Sequence, residues 1–559
     1  MAFRSNESCV NDREVGVSIG SAASHVGQFF ALLERRQTAG QLNEKWPLHA
    51  ARYHLKSQNI VPRVQSSLAL RSAHDLILVK SVGLRGWHTS GMKLPPILDD
   101  ALLQRYDRPG PRYTSYPAAP RFNEAFDAHA LREQIALSNE DPVPRRLSLY
   151  AHIPFCESPC FYCGCNRIIT RDHRRGASYL EAMDLEIDRI GPLFDDDREV
   201  IQLHLGGGTP NFLTPEQLGQ LLDSFNRQFR FNETEERDFS IELDPRHVTP
   251  EEIGHLAALG FNRASLGVQD FDPEVQKAVN RIQGVEMTLE LIDACHRHGM
   301  RSVNVDLIYG LPKQTEVGFG RTLDTVLQAR PERLAIYGYA HLPELFKAQK
   351  QLDAADLPSP GVRLALLRLA IEKLTAAGYE HIGMDHFALP TDELAKARRS
   401  GSLHRNFMGY TTHAETDLVG FGVSAISHIG ASFSQNPRDL ATWEARLRFG
   451  GDGLPVWRGL ALDADDLVRA DVISQIMCVG VVDVREIEHD HGVVFTRYFA
   501  GALERLRTMQ ADGLVEISSD FIRATSRGQL LLRHLAMCFD AYLHERAASM
   551  QPARFSKAI

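Results

Sequence analysis

The stretch Leu147-Ser-Leu-Tyr-Ala-His-Ile-Pro-Phe-Cys156-Glu-Ser-Pro-Cys160-Phe-Tyr-Cys163-Gly-Cys165 decides how this chain is read. Its first seven residues have the composition of a strand, Pro154 ends the run, and four thiols follow within ten residues. A strand that leads straight into a reactive loop is the layout of enzymes whose sites lie at the C-terminal ends of barrel strands. Thiolates are the normal ligands of iron–sulfur clusters, and a short loop with the spacing C-x3-C-x2-C can wrap one corner of a cubane. Three ligands, Cys156, Cys160 and Cys163, leave one iron with an open position, whereas four would close the cluster. Structural zinc draws its ligands from two separated pairs, which this loop does not offer. A plain electron carrier would not need the large fold that follows.

Working outward, further β-rich runs are Val200-Ile-Gln-Leu-His-Leu205, Phe239-Ser-Ile-Glu-Leu243, Arg263-Ala-Ser-Leu-Gly-Val268, Val303-Asn-Val-Asp-Leu-Ile308 and Leu334-Ala-Ile-Tyr-Gly338. Helical patterns lie between most of them, so the chain reads as α/β with a parallel sheet and crossover helices. Unusual chemistry follows each strand: the thiol loop, Gly206-Gly-Gly-Thr-Pro210, Asp244-Pro245, Gln269-Asp-Phe271, Tyr309-Gly-Leu-Pro312 and His341-Leu-Pro343. These loops should share one mouth. Six strands imply a partial (β/α)6 barrel.

At 559 residues the chain exceeds one ordinary core. The expected division is an N-terminal extension (1–91), a lead-in segment (92–145), the barrel (146–345), a barrel extension with substrate and cosubstrate contacts (346–450) and a helical C-terminal domain (451–559). The extension is basic and poor in acids between Lys45 and Lys93, as transit peptides are, but it lacks an amphipathic opening. The expectation is a start assigned upstream of the true one at Met92, or a disordered segment. At the other end, helical patterns at 464–479 and 495–510, a hairpin at 514–524 and a helix from about Ser526 read as a winged-helix-like module. A net charge of −9 and the lack of a basic stripe argue against nucleic acid. No apolar run reaches the roughly 18 residues of a membrane span. Four clustered thiols and four scattered ones suit a reducing compartment rather than a disulfide framework, so a cytoplasmic protein is expected.

The thiol spacing resembles the signature of the radical S-adenosylmethionine (SAM) superfamily. Beyond it, Tyr150-Ala-His-Ile-Pro-Phe-Cys, His204-Leu-Gly-Gly-Gly-Thr-Pro, Gly267-Val-Gln-Asp-Phe, Asn280-Arg281, Asp306-Leu-Ile-Tyr-Gly-Leu-Pro and His404-Arg-Asn-Phe-Met-Gly-Tyr-Thr-Thr resemble the oxygen-independent coproporphyrinogen III oxidases over about residues 95–545. The resemblance implies conversion of the propionates on rings A and B of coproporphyrinogen III to vinyls, with a [4Fe-4S] cluster on three cysteines and two SAM. It also implies a donor such as flavodoxin or ferredoxin, and a monomer.

Carried over residue by residue, it places Tyr150, Gly207, Glu242 and Ile426 at the first SAM, and Gly208, Thr209, Gln269, Arg281, Asp306 and Ala340 at the second. Glu242 and Asp306 are suited to accept from a ribose or an amino group, and Arg281 to pair with a carboxylate. Taken singly, each of these also fits a strand-end cap or an internal ion pair. Cys165 belongs to the family's extended pattern and is not a cluster ligand there. A substrate with four carboxylates calls for guanidinium groups, and Arg112 and Arg405 are the candidates, with ordinary structural arginines as the alternative. The related haem chaperones share the barrel and the cluster motif but lack a cysteine at the place of Cys165 and the His404-Arg-Asn-Phe element, so the enzyme is the better match. A non-catalytic regulator working through the C-terminal module is the other reading.

Overall fold

Alternation along the central strands sorts apolar side chains to one face and polar ones to the other. In a computed structural model, which describes Leu102, 105–450, 453–546 and Phe555, these strands form one sheet. The expectations for residues 1–91 lie outside the described residues. The described residues up to 488 and from 494 onward fall in one compact unit. Residues 489–493 belong to a separate unit.

The six expected strands are all present: β1 (Arg146–Ile153), β2 (Glu199–Gly207), β3 (Asp238–Leu243), β4 (Arg263–Gln269), β5 (Ser302–Tyr309) and β6 (Arg333–Gly338). Each pairs in parallel with the next. Crossover helices between them start at sites legible in the sequence. Thr214 and Thr249 form capping boxes with Gln217 and Glu252, and Pro215 and Pro250 occupy the first helical turn, where a missing N–H costs nothing.

Beyond β6 the sheet continues antiparallel through β8 (His386–Ala388) and β7 (Glu380–Gly383). A separate hairpin joins β9 (His404–Asn406) to β10 (Gly409–Thr411). On the other side of β1 a seventh parallel strand is added, β11 (Thr416–Phe421), followed antiparallel by β12 (Ile426–Ile429), β13 (Ser432–Gln435) and β14 (Arg458–Ala461). The path has two ends, so among the described residues the barrel stays open.

The C-terminal part carries helices Ala464–Cys478 and Ala500–Ala511 and an antiparallel sheet, with β17 (Phe521–Ala524) between β15 (Val481–Asp483) and β16 (Val515–Ile517). The hairpin expected at 514–524 is the β16–β17 pair. Among the described residues no helix is long and apolar enough to cross a membrane.

The core sits between sheet and helices. Leu147, Leu149, Ala151 and Ile153 of β1 join Leu203, Leu205, Ile241, Leu243, Leu266, Val303, Val305 and Leu334 in it. The alternate positions are polar and bond across the strands on the inner face. Ser148 donates to Gln202 (3.1 Å), His204 meets Ser240 (2.6 Å), and Asn304 donates to Ser265 and Asp306 (2.9 and 2.8 Å). Barrel interiors are ordinarily packed with branched apolar residues, so a polar interior marks a place where something polar binds.

Candidate active site

The thiol loop is held at both ends before any ligand is considered. Phe155–Cys156 pairs with Ile168–Ile169, and the Thr170 amide donates to the Cys156 carbonyl at 2.9 Å. Along its length, Asn280 donates to the Pro159 carbonyl (2.7 Å), the Phe161 amide to Val279 (3.0 Å), and Arg167 to the Cys160 carbonyl (3.2 Å). Gln349, only 2% exposed, donates to Tyr162 (2.9 Å) and to Ala340 (3.2 Å) and accepts from the Leu342 amide (2.6 Å). It thereby ties the loop to the segment after β6.

Cys160 is buried, Cys156 and Cys163 are half-buried and Cys165 is exposed. Two guanidinium groups approach the Cys160 sulfur, Arg281 at 3.4 Å and Arg246 at 3.7 Å, and both also pair with Asp244. Cys156 lies 3.3 Å from the Thr209 hydroxyl, yet burial pushes its thiol up to about 11. Cys163 is held down, to about 6, first by the hydrogen bond from Cys165 and further by Arg167; the same bond pushes the Cys165 thiol well up. Among the described residues no three His, Cys, Asp or Glu side chains converge on a single ion. Three thiols on one short clamped loop, Cys156, Cys160 and Cys163, are the donor type that iron–sulfur clusters take.

Beside the loop runs the turn Gly206–Gly208. Gly207 has φ +118°, and a Cβ there would stand 2.8 Å from the His152 ring. A Cβ on Gly208 would stand 2.8 Å from the Phe155 carbonyl oxygen. Glycine is required at both, because Gly207 takes a left-handed conformation against the His152 ring and Gly208 passes directly against the loop's backbone. The Gly207 amide donates to Glu242 at 3.2 Å.

The inner face places most of the expected residues near this end. Tyr150 stacks on His204 at 5.8 Å between ring centres, and its hydroxyl lies 3.0 Å from His152 Nδ1. His152 Nε2 faces the Asn166 carbonyl at 2.9 Å. A carbonyl only accepts, so Nε2 carries the proton and Nδ1 accepts from Tyr150; burial keeps this imidazole neutral. Burial works against the charge of Glu242, but His204 and the Gly207 amide hold its carboxyl below the ordinary range. Asp306 accepts from Ser265 (3.0 Å) and Asn304, and is raised to about 6 by burial and then by the charge of Glu242. Gln269 sits past a bulge at the end of β4 with φ +69°, a left-handed conformation that re-aims a side chain. Arg281 donates to the Gly267 carbonyl (2.5 Å). Ile426 opens β12 against Gly420, whose Cβ would stand 2.6 Å from the Ile426 carbonyl oxygen.

Arg112 and Arg405 lie elsewhere, around Asp385. Arg112 is hydrogen-bonded to that carboxylate and stands 5.8 Å from the Tyr337 ring centre, whereas Arg405 lies over Tyr410. Sequence reasoning missed Arg246, Gln349, Asp385 and the inner-face His204. His204 carried a signal, since it lies in a segment already singled out, and Arg246 directly follows one, Asp244-Pro245; Gln349 and Asp385 carried none.

Known proteins with this arrangement are informative. The Radical SAM superfamily profile matches residues 150–326, and that of the HemN C-terminal domain matches 462–531. The oxygen-independent coproporphyrinogen III oxidase of Salmonella typhimurium is 48% identical over 461 residues, covering 82% of this chain and 98% of that one. Its Pseudomonas aeruginosa counterpart is 47% identical, with the same coverage. This chain belongs to the oxygen-independent coproporphyrinogen III oxidase family. The family's fold is the same as well: a structure described as coproporphyrinogen III oxidase (HemN) from Escherichia coli, a radical SAM enzyme, is 45% identical and covers 80% of this chain and 100% of its own, at a TM-score of 0.76. Membership makes the chain a radical SAM enzyme, and the superfamily implies a [4Fe-4S] cluster and SAM. The seventh strand, β11, lies outside both profiles.

Proposed function

We propose that this chain converts coproporphyrinogen III to protoporphyrinogen IX without oxygen, through two SAM bound beside a [4Fe-4S] cluster on Cys156, Cys160 and Cys163. For each vinyl formed, a propionate loses one hydrogen atom from its β-carbon, CO2 and one electron; the hydrogen ends in 5′-deoxyadenosine and the electron passes to a separate one-electron acceptor. The observation that carries this reading is the clustering of the clamped thiols, the glycine turn and the inner-face carboxylates at one end of the parallel sheet.

When bound, the cluster and SAM supply a 5′-deoxyadenosyl radical. The protein's part is to hold and orient. Tyr150, Gly207, Glu242 and Ile426 take the first SAM, with Glu242 accepting from it while the Gly207 amide fixes the carboxylate. Gly208, Thr209, Gln269, Arg281, Asp306 and Ala340 take the second, with Arg281 offered to its carboxylate and Asp306 to its ribose. Arg281 and Arg246 also offset the negative charge gathered at Cys160. Cys165 stays outside the ligand set. Arg112 and Arg405 face the substrate. The protein works as a monomer in the cytoplasm with flavodoxin or ferredoxin as donor, and binds neither nucleic acid nor membrane.

Anaerobic reconstitution with iron and sulfide, then incubation with reductant, SAM and coproporphyrinogen III, should yield the divinyl product with one 5′-deoxyadenosine per CO2. SAM cleavage without vinyl product would remove this substrate while leaving superfamily membership intact. Retention of haem with no SAM cleavage would point to a chaperone.

A second expectation concerns pH. The Asp306 carboxyl is raised to about 6, so it is protonated below that value and a hydrogen-bond acceptor for ribose above it. Because the folded value exceeds the unfolded one, Asp306 also costs ligand-free stability as pH rises from the ordinary carboxylate range to about 6. Equilibrium dialysis of SAM between about pH 5 and 7 (roughly one unit either side of that midpoint) should show weaker binding of one equivalent on the acid side. Asp306→Asn should flatten the profile; an unchanged slope in that variant would assign it to another group.

A further inference from the structure

Six arginines are less than a tenth exposed among the described residues: Arg198, Arg263, Arg281, Arg405, Arg469 and Arg533. Five have partners. Arg198 pairs with Asp417, Arg263 with Asp238, Arg281 with Asp244 and Arg469 with Asp465, while Arg533 donates to the Gly110 and Pro111 carbonyls. Arg405 differs: it is 8% exposed, and its Nε and Nη1 are buried without a hydrogen-bond partner. A buried charge left unpaired is unfavourable, and proteins keep one where a ligand completes it.

The surroundings of Arg405 are built for an anion attached to an apolar body. Across the β9–β10 hairpin Arg405 is in register with Tyr410, with its guanidinium carbon 4.7 Å from the ring centre. The Tyr410 ring meets His386 edge-on at 5.3 Å, and His386 meets Tyr337 edge-on at 5.9 Å. His386 Nδ1 is also buried without a partner. Burial and then the charge of Arg405 hold this imidazole neutral, at about 3. The carboxylate in the group, Asp385, is already engaged by Arg112. Arg533 joins from the C-terminal part, and the charges of both Arg112 and Arg405 depress its own value, to about 10, after burial has done so. Positive charge is therefore in excess here. Tyr337 links the cluster to the inner face, since it pairs with Ile308, two residues beyond Asp306.

We propose that Arg405 anchors one carboxylate of the substrate, in a subsite walled by Tyr337, His386 and Tyr410 and bordered by Arg533. This rests on the reading that the substrate is a tetrapyrrole with four propionates. Chemistry selects which propionate. Loss of CO2 from a propionate whose β-hydrogen has been removed requires an electron to leave the carboxylate, and a bidentate guanidinium opposes that by stabilising the anion. Arg405 therefore holds a propionate that survives into the product. Arg112, neutralised by Asp385, contributes less.

The test is fluorescence titration of the full chain with coproporphyrin III and protoporphyrin IX, and with the methyl esters of each in the same detergent. Arg405→Gln should weaken both acids by about 10–100-fold, as expected for loss of a charge-assisted contact, while leaving the esters unchanged. Arg405→Lys should restore part of that affinity, and Arg112→Gln should weaken the acids less than Arg405→Gln does. Wild-type affinity for both acids in Arg405→Gln overturns the anchor, as does an equal loss for acids and esters. Weakening for coproporphyrin III alone overturns the assignment to a surviving propionate. A wild-type chain that cleaves SAM but binds neither acid would instead strike the substrate reading itself.

Discussion

A Cys156→Ser chain should fold, take up no stable cluster after reconstitution, and cleave SAM only at background rate. The loss should exceed the roughly 10–100-fold typical of changes to groups that merely support a ligand, because a thiolate itself is removed. Serine preserves the size of the side chain, and the loop's clamps through Asn280, Gln349 and Arg167 do not involve the Cys156 sulfur. Iron and sulfide content, the electron paramagnetic resonance signal of the reduced cluster and the yield of 5′-deoxyadenosine are the readouts. Cys165→Ser is the internal contrast and should keep both cluster and cleavage. Wild-type cleavage in Cys156→Ser, or loss of the cluster in Cys165→Ser, would redraw the ligand set.

Asp417→Ala should be the most damaging change away from the thiols, lowering stability by about 3–5 kcal/mol, the cost of leaving a buried charge unpaired. The side chains of Arg198 and Asp417 are 1% and 2% exposed and lie 2.6 Å apart. Asp417 also accepts from Ser138 and from the Gly430 amide at 3.0 Å. It belongs to β11, the strand that leads toward Ile426, so the same change should weaken SAM binding. Urea unfolding monitored by circular dichroism reads the first effect and equilibrium dialysis the second. The pH dependence has a definite sign. Burial opposes the Asp417 charge, but Ser138 and Arg198 outweigh it and hold the carboxyl below its ordinary range. A carboxyl depressed in the folded state contributes fully at neutral pH, and that contribution fades as pH falls through the folded value. In the alanine variant this acid-side decline should be shallower.

Why β11 escaped the sequence is clear from the same residues. Thr416-Asp-Leu-Val-Gly-Phe421 carries an aspartate and an internal glycine, both poor strand formers. Its aspartate is tolerated because Arg198 arrives from a distant loop, and its glycine is needed because the Ile426 backbone crosses there. Both reasons are tertiary. By contrast, β1 to β6 lie within a residue or two of the expected runs, because alternation of apolar and polar residues is a local property that also specifies which face becomes the site. The thiol loop and glycine turn were legible from spacing alone, and the structure adds what spacing could not hold: Gln349, from a short turn with no motif, and Arg246 beside Cys160. Arg112 and Arg405 were indistinguishable on chemistry. Only packing separates the one engaged by Asp385 from the one left open.

The clamping of the thiol loop bears on how the enzyme lives with oxygen. In small zinc modules metal uptake and folding are a single event, so losing the metal unfolds the protein. Here the loop's shape is paid for by backbone pairing and by amide and guanidinium contacts from three other segments. A chain stripped of iron by oxidation would thus remain a folded receptacle, open to refilling in place. Damage becomes a matter of repair rather than of new synthesis.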